Sequence, residues 1–409
     1  MSFYRKDPLP TTLTSLSSIS NDLSDGAGKT LQSAIRTITV FQEDLKANPE
    51  DYKAYPFCDI AASFLYSMMD YAPVPSARQR IANEIVTSGL SGCTVERNTK
   101  LLRIAAYYIH YLIQPLKSRK VTSPVSSTVP SHLSFTPHQK DILRHFTPGK
   151  RSNIKVKALQ RDDYRCLLTG TVDIDHLVKS NGTLQQGEVP GCTKAAHIIP
   201  FHLVAFDAVD EKAHKMQDTN TNSPLVDSKT DGKAGTPQDG PAGLDKASTP
   251  YCAWFGNLER EDLEGRNINR LDNIMTLTYD IHAYFEDLKL WAEQGQDSAN
   301  RYTVQAIHTN YLFHIKKGGE VQFSTLDVET MPLPNPNYLV LHAACAKIAY
   351  ISGVGKLLDD LERQGEDLNV LASDGSSMAL LQYKLAAAAA ISGFWPPERT
   401  DHFIVPYGE

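Results

Sequence analysis

Two histidines and an asparagine stand out for the chemistry their types and order allow. His197 lies in Lys194 to Leu203, KAAHIIPFHL, while Asn273 and His282 lie in Arg270 to Trp291, RLDNIMTLTYDIHAYFEDLKLW. Hydrolysing a phosphodiester at neutral pH needs a base for the attacking water and a divalent cation on the phosphate and leaving oxygen. One neutral imidazole suits the first task, and a second suits metal ligation. Taken alone, His197 in its apolar run reads as a core histidine with a single hydrogen bond. With Asn273 and His282 following in this order, it reads as half of a nuclease site.

Such a site needs stiff elements. Ala195, Ala196, Ile198 and Ile199 predict a short buried strand, closed by Pro200, which cannot donate to a ladder. Ile274, Met275 and Leu277 predict a second. The eight residues between Asn273 and His282 leave room for that strand to turn and feed a helix. The period then changes from 2 to 3.6, with Ile281, Phe285, Leu288 and Trp291 on one apolar stripe. His282 and Glu286, four apart, share the neighbouring face. Asn273, beside the turn, can tie the loop down through side-chain hydrogen bonds to backbone.

At these residues the chain resembles the HNH endonuclease family, in particular its fungal-type domains. The resemblance is carried by RDDYRCLLTG (Arg161 to Gly170), AAHIIP (Ala195 to Pro200) and INRLDNIMTLTYDIHAYFEDL (Ile268 to Leu288). PNPNYLVLHAACAKIAYISGVG, Pro334 to Gly355, is similar to the segment that follows the domain in those proteins. It implies an α+β fold with a central ββα-metal (His-Me finger) domain flanked by mainly helical regions. By the same resemblance His197 is the general base, Asn273 fixes the loop, and His282 is a metal ligand on the helix. One divalent ion follows, magnesium first, with manganese, nickel or zinc as alternatives. The partner is nucleic acid, DNA above RNA. Two positions depart from the family pattern. Ala196 stands where many members carry a metal ligand, and Glu286 replaces a common aspartate as ligand or orienting group. His202 is either a substitute ligand or a loop histidine. These departures keep a second class open, a catalytically degenerate HNH-fold module that binds DNA or protein.

Composition sets the frame. The chain has 409 residues, 41% hydrophobic and 22% charged, with a net charge of −6, which argues against a protein that coats nucleic acid non-specifically. Lys150, Arg151, Lys155, Lys157, Arg161 and Arg165 form a basic run that either holds phosphates or is a solvated helix face. Six scattered cysteines with no C-x-x-C pair give no zinc ribbon; they read as buried thiols, or Cys166, Cys192 and Cys252 meet with a histidine around zinc. No transmembrane span or secretory signal is seen, so an intracellular chain is expected, nuclear or cytoplasmic.

The domain plan follows from periodicity and breakers. Residues 1–25 form a disordered arm, 26–117 a helical region with helices at Ile60 to Asp70, Ala77 to Ser88 and Asn98 to Gln114, and 118–137 a linker. DGAGKT, Asp25 to Thr30, lacks the first glycine and preceding strand of a phosphate loop and reads as a turn entering a helix. The nuclease-like domain spans 138–327, with a polar, disordered insertion at 216–250 that accounts for the 76 positions between His197 and Asn273. Strands are expected at Tyr302 to Ile307, Tyr311 to Ile315 and Val321 to Leu326. A helical region, 328–409, contains a stripe ended by Gly353 and a further helix at Leu380 to Ile391.

Overall fold

Four helices follow one another from Gly26, each burying one apolar stripe against the others. In α1 (Gly26–Ala47) the buried residues Leu31, Ala34, Ile35, Ile38, Phe41 and Leu45 recur at spacings of three and four. α2 (Cys58–Asp70) and α3 (Pro75–Gly89) follow, the latter opened by a proline whose missing N–H costs nothing in the first turn. α4 (Thr94–Tyr108) continues through a widened π-type turn, Ile109–Ile113, into Gln114–Leu116. These spans match the periodicity expected for this stretch.

The computed structural model describes residues 26–90, 92–117, 148–200, 251–259, 262, 267–295, 299–315 and 319–366, with backbone alone at 148–153, 251–253 and 364–366. The expected arm at 1–25, linker at 118–137, insertion at 216–250, His202, Cys252 and the helix at 380–391 lie outside these residues or their described side chains.

The remainder is mixed helix and sheet. α5 (Pro148–Arg161) leads to a short parallel pair, β1 (Val172–Asp173) and β2 (Pro190–Gly191), bracketing α6 (Ile174–Lys179). β3 (Thr193–His197) then pairs antiparallel with β4 (Ile274–Thr278), on either side of α7 (Tyr251–Gly256) in the sequence. α8 (Tyr279–Glu286) leaves β4 directly and packs on both strands. β5 (Leu290–Gln294), β6 (Arg301–Ala306) and β7 (Glu320–Gln322) form an antiparallel meander.

Two local expectations are corrected. Trp291 lies in β5, not on the helix of His282, because α8 closes in a Schellman motif. The Leu288 and Lys289 amides donate to the Phe285 and Tyr284 carbonyls, and Leu288 takes a left-handed φ of 57°. That conformation disfavours leucine by about 1–2 kcal/mol, which burial of its side chain offsets. Tyr311 to Ile315 is not a strand. The Asn310 amide bonds His308 Nδ1 at 3.1 Å, and Thr309–Leu312 coils into a 3-10 turn.

α9 (Pro336–Ser352) is buried on nearly every side, packs on α2 and β5, and ends at Gly353 with φ 85°. α10 (Val354–Glu366) follows. Buried side chains from α1 to α4, from the strands, and from α9 and α10 form one continuous core. Lys117, buried beneath it, reaches Asp287 at 3.4 Å and Asp359 at 2.7 Å, linking three distant parts of the chain. Among the described residues no single helix is long and apolar enough to cross a membrane.

Candidate active site

The site is built on the β3–β4 pair. Its register sets His197 opposite Ile274 and Lys194 opposite Leu277, and the ladder continues one step as the Ile198 amide donates to the Asn273 carbonyl at 2.9 Å. All five residues of β4 are buried. Its outer edge would therefore present unpaired polar groups unless something covered it. The segment after α5 does so. Asp162 accepts the Thr276 amide at 3.0 Å, the Leu167 amide donates to the Thr276 carbonyl at 2.9 Å, and Arg161 donates to the Ile274 carbonyl at 2.7 Å. Arg161 and Asp162 are themselves a buried two-pronged pair, with N to O distances of 2.6 and 2.9 Å. Arg161 is thus committed to the scaffold, and Arg165 pairs with Glu188 at 2.5 Å. The fully buried Arg161 side chain therefore has no open face for a phosphate.

Asn273 is fully buried and every polar atom of its amide is used. Its oxygen accepts the Ile199 amide at 2.9 Å, and its nitrogen donates to the carbonyls of Ile199 at 3.0 Å and Ile268 at 2.9 Å. One side chain thereby clips the residues following His197 to those preceding β4. His197 is half-buried, with Nε2 2.9 Å from the Asn269 side-chain oxygen. With the Asn269 oxygen as acceptor, Nε2 is the donor in that contact.

α8 brings the second histidine in. His282 Nδ1 lies 3.3 Å from Glu286 Oε2, one helical turn on. Burial, then the charges of Lys194 and His197, push the His282 pKa down to about 4. Burial foremost leaves His282 neutral at neutral pH, as a metal ligand must be. Burial also raises the Glu286 carboxyl to about 7, with Lys194 opposing the rise and Asp287 adding to it. Behind α8, His342 lies flat on Phe285, ring centroids 3.7 Å apart, and its Nε2–H donates to the Phe285 carbonyl at 3.0 Å. That contact fixes the back of the helix.

The structure ties Asn273 to the backbone just after His197 and sets His282 beside Glu286 on the helix that follows β4. Ala196, just before His197, is fully buried and presents only a methyl group. Of the basic run, Lys155 is half-buried and Lys157 exposed on α5, while the side chains of Lys150 and Arg151 lie outside the description. Among the described residues no group of three or more His, Cys, Asp or Glu side chains is arranged to hold a metal. Cys166 is buried and Cys192 exposed, so the thiols form no such centre there either. Sequence reasoning missed Asn269 and Lys194. Asn269 sits four residues before Asn273 in the same motif, and Lys194 is a charge inside a strand beside apolar neighbours, a usable signal. Comparison with protein-family models, with curated proteins and with solved structures finds no match.

Proposed function

We propose that the chain is an HNH-type, divalent-metal-dependent endonuclease acting on nucleic acid, DNA above RNA, with β3, β4 and α8 as a ββα-metal unit. What supports the reading is the Asn273 clip, which ties the residues after His197 to those before β4, the strand that feeds the helix of His282. In this reading His197 accepts the proton of the attacking water at Nδ1, its ring held by Asn269. His282 would hold the ion. Glu286, at the other ring nitrogen, orients the imidazole or joins it as a ligand. A bound divalent ion supplies neutralising charge to the phosphate and leaving oxygen. One imidazole and one carboxylate would leave most positions of an ion to water and substrate phosphate, and they do not make a closed four-ligand zinc cage.

Nicking of supercoiled plasmid in Mg²⁺, Mn²⁺ or Ni²⁺ tests this. His197→Ala is expected to lower the rate by about 10²- to 10⁴-fold, the contribution of a positioned base. Metal-dependent cutting unchanged by that substitution would remove the proposal. The methyl group of Ala196 in place of a ligand favours a second reading, a non-catalytic module of the same shape that binds DNA or protein. That module predicts no cutting in any of the three metals.

A further inference from the structure

Lys194 is placed unlike the other paired lysines of the described residues. Lys117, Lys289 and Lys347 each sit against a carboxylate at 3.4 Å or less, as do the more exposed Lys53 and Lys100. Lys194 instead holds its ammonium 4.1 Å from the centre of the Tyr279 ring, with no carboxylate of the described residues at ion-pair distance. An aromatic face orients a cation without neutralising it. Tyr279 is 54% exposed, so this pair opens to solvent at the first turn of α8. Tyr279 lies three residues before His282 on α8, and Lys194 lies on β3, the strand that ends at His197. A cation oriented by an aromatic ring, with no ion pair among the described residues, is suited to an anion arriving from solution.

We infer that Lys194, steadied by Tyr279, is a phosphate-binding group that docks the nucleic-acid backbone at this site without a metal. The inference rests on the nuclease reading only in taking the site's ligand to be a phosphodiester. It also gives a role to chemistry that Ala196 leaves undone. With few protein donors to hold an ion, part of the positive charge that the substrate meets comes from the chain itself.

The test is binding of a short fluorescein-labelled DNA duplex by the full chain in EDTA, followed by anisotropy across a salt series. Each phosphate neutralised contributes about 0.9 to the slope of log K against log salt. Lys194→Met is expected to weaken binding several-fold and to reduce that slope by about one, uniformly across DNA sequences, whereas Lys194→Arg keeps it. Lys194→Gln serves the same purpose should the methionine variant misfold. A slope unchanged in both neutral variants, or no binding by the wild type in EDTA, overturns the inference. Plasmid cleavage separates it from the nuclease proposal. A chain that binds through Lys194 and never cuts loses the catalytic reading alone, and one that cuts while its binding ignores Lys194 loses this one alone.

Discussion

Replacing Asn273 by alanine removes three hydrogen bonds at a fully buried position and leaves three backbone groups behind: the Ile199 amide and the carbonyls of Ile199 and Ile268. Each buried group left unpaired costs about 1–3 kcal/mol, so a total of about 3–6 kcal/mol is expected after local relaxation. Set against a whole-protein stability of about 5–15 kcal/mol, that is enough to release the segment after His197 before the molecule unfolds. Hydrogen exchange at the Ile198 and Ile199 amides reads this directly. A loss of 3–6 kcal/mol corresponds to exchange faster by roughly 10²- to 10⁴-fold, at about 1.4 kcal/mol per decade. Asn273→Asp keeps the acceptor for the Ile199 amide and turns a carboxylate oxygen toward two carbonyls, so at neutral pH it is expected to be at least as damaging. Exchange at Ile199 within about threefold of wild type in Asn273→Ala would refute the reasoning, because the clip would then carry no free energy.

Acid should destabilise the fold through two imidazoles. His282 and His342 are both depressed to about 4 from 6.5, so on acidification the unfolded chain takes up protons first. The stability they contribute is fully present above pH 6.5 and is lost as pH falls toward 4. At 1.36 kcal/mol per unit the buried His342 accounts for about 3 kcal/mol of that loss, and His342→Leu should flatten the dependence of the denaturation midpoint on pH over this window. Asp162→Asn leaves the Arg161 guanidinium buried and uncompensated and weakens the cover on β4. Thermal unfolding is expected to show a loss of about 3–5 kcal/mol, with little recovered by Arg161→Lys, whose single ammonium cannot reproduce the fork.

Periodicity made most of the frame legible. The helices at 58–70, 75–89 and 94–108 follow their apolar spacing, and β3 and β4 follow their short apolar runs. The end of α8 was hidden for a definite reason. Leu288 occupies a left-handed position where glycine is the usual stop signal, so the apolar stripe runs on to Trp291 although the chain has already turned into β5. The stretch 311–315 has strand composition, but the side chain of His308 offers the backbone a local partner that a pattern of residue types does not reveal. At the site, residue type and order pointed to His197, Asn273, His282 and Glu286. Spacing does not show the contacts of Asn269 and Lys194, although a charge among the apolar residues of a strand marks Lys194.

The order of the motifs along the chain has a physical logic in how β4 is satisfied. A five-residue strand buried throughout needs partners on both edges, yet among the described residues only β3 pairs with it as a strand. The other edge is met by side chains and one turn amide, from Arg161, Asp162 and Leu167. This is why the Arg161–Asp162 pair and Asn273, more than a hundred positions downstream, serve the same strand: the pair closes the sheet from outside while Asn273 closes it from the end. A carboxylate can accept an edge amide, and a guanidinium can serve several carbonyls at once, which no apolar residue could do. Arg161 also reaches the Leu271 and Pro332 carbonyls, at 2.7 and 3.2 Å, so the cover extends from β4 to the segment that leads into α9. The rigidity of His197 therefore depends on residues that never approach its ring, and loss of the Arg161–Asp162 pair should loosen the site before it unfolds the helices around it.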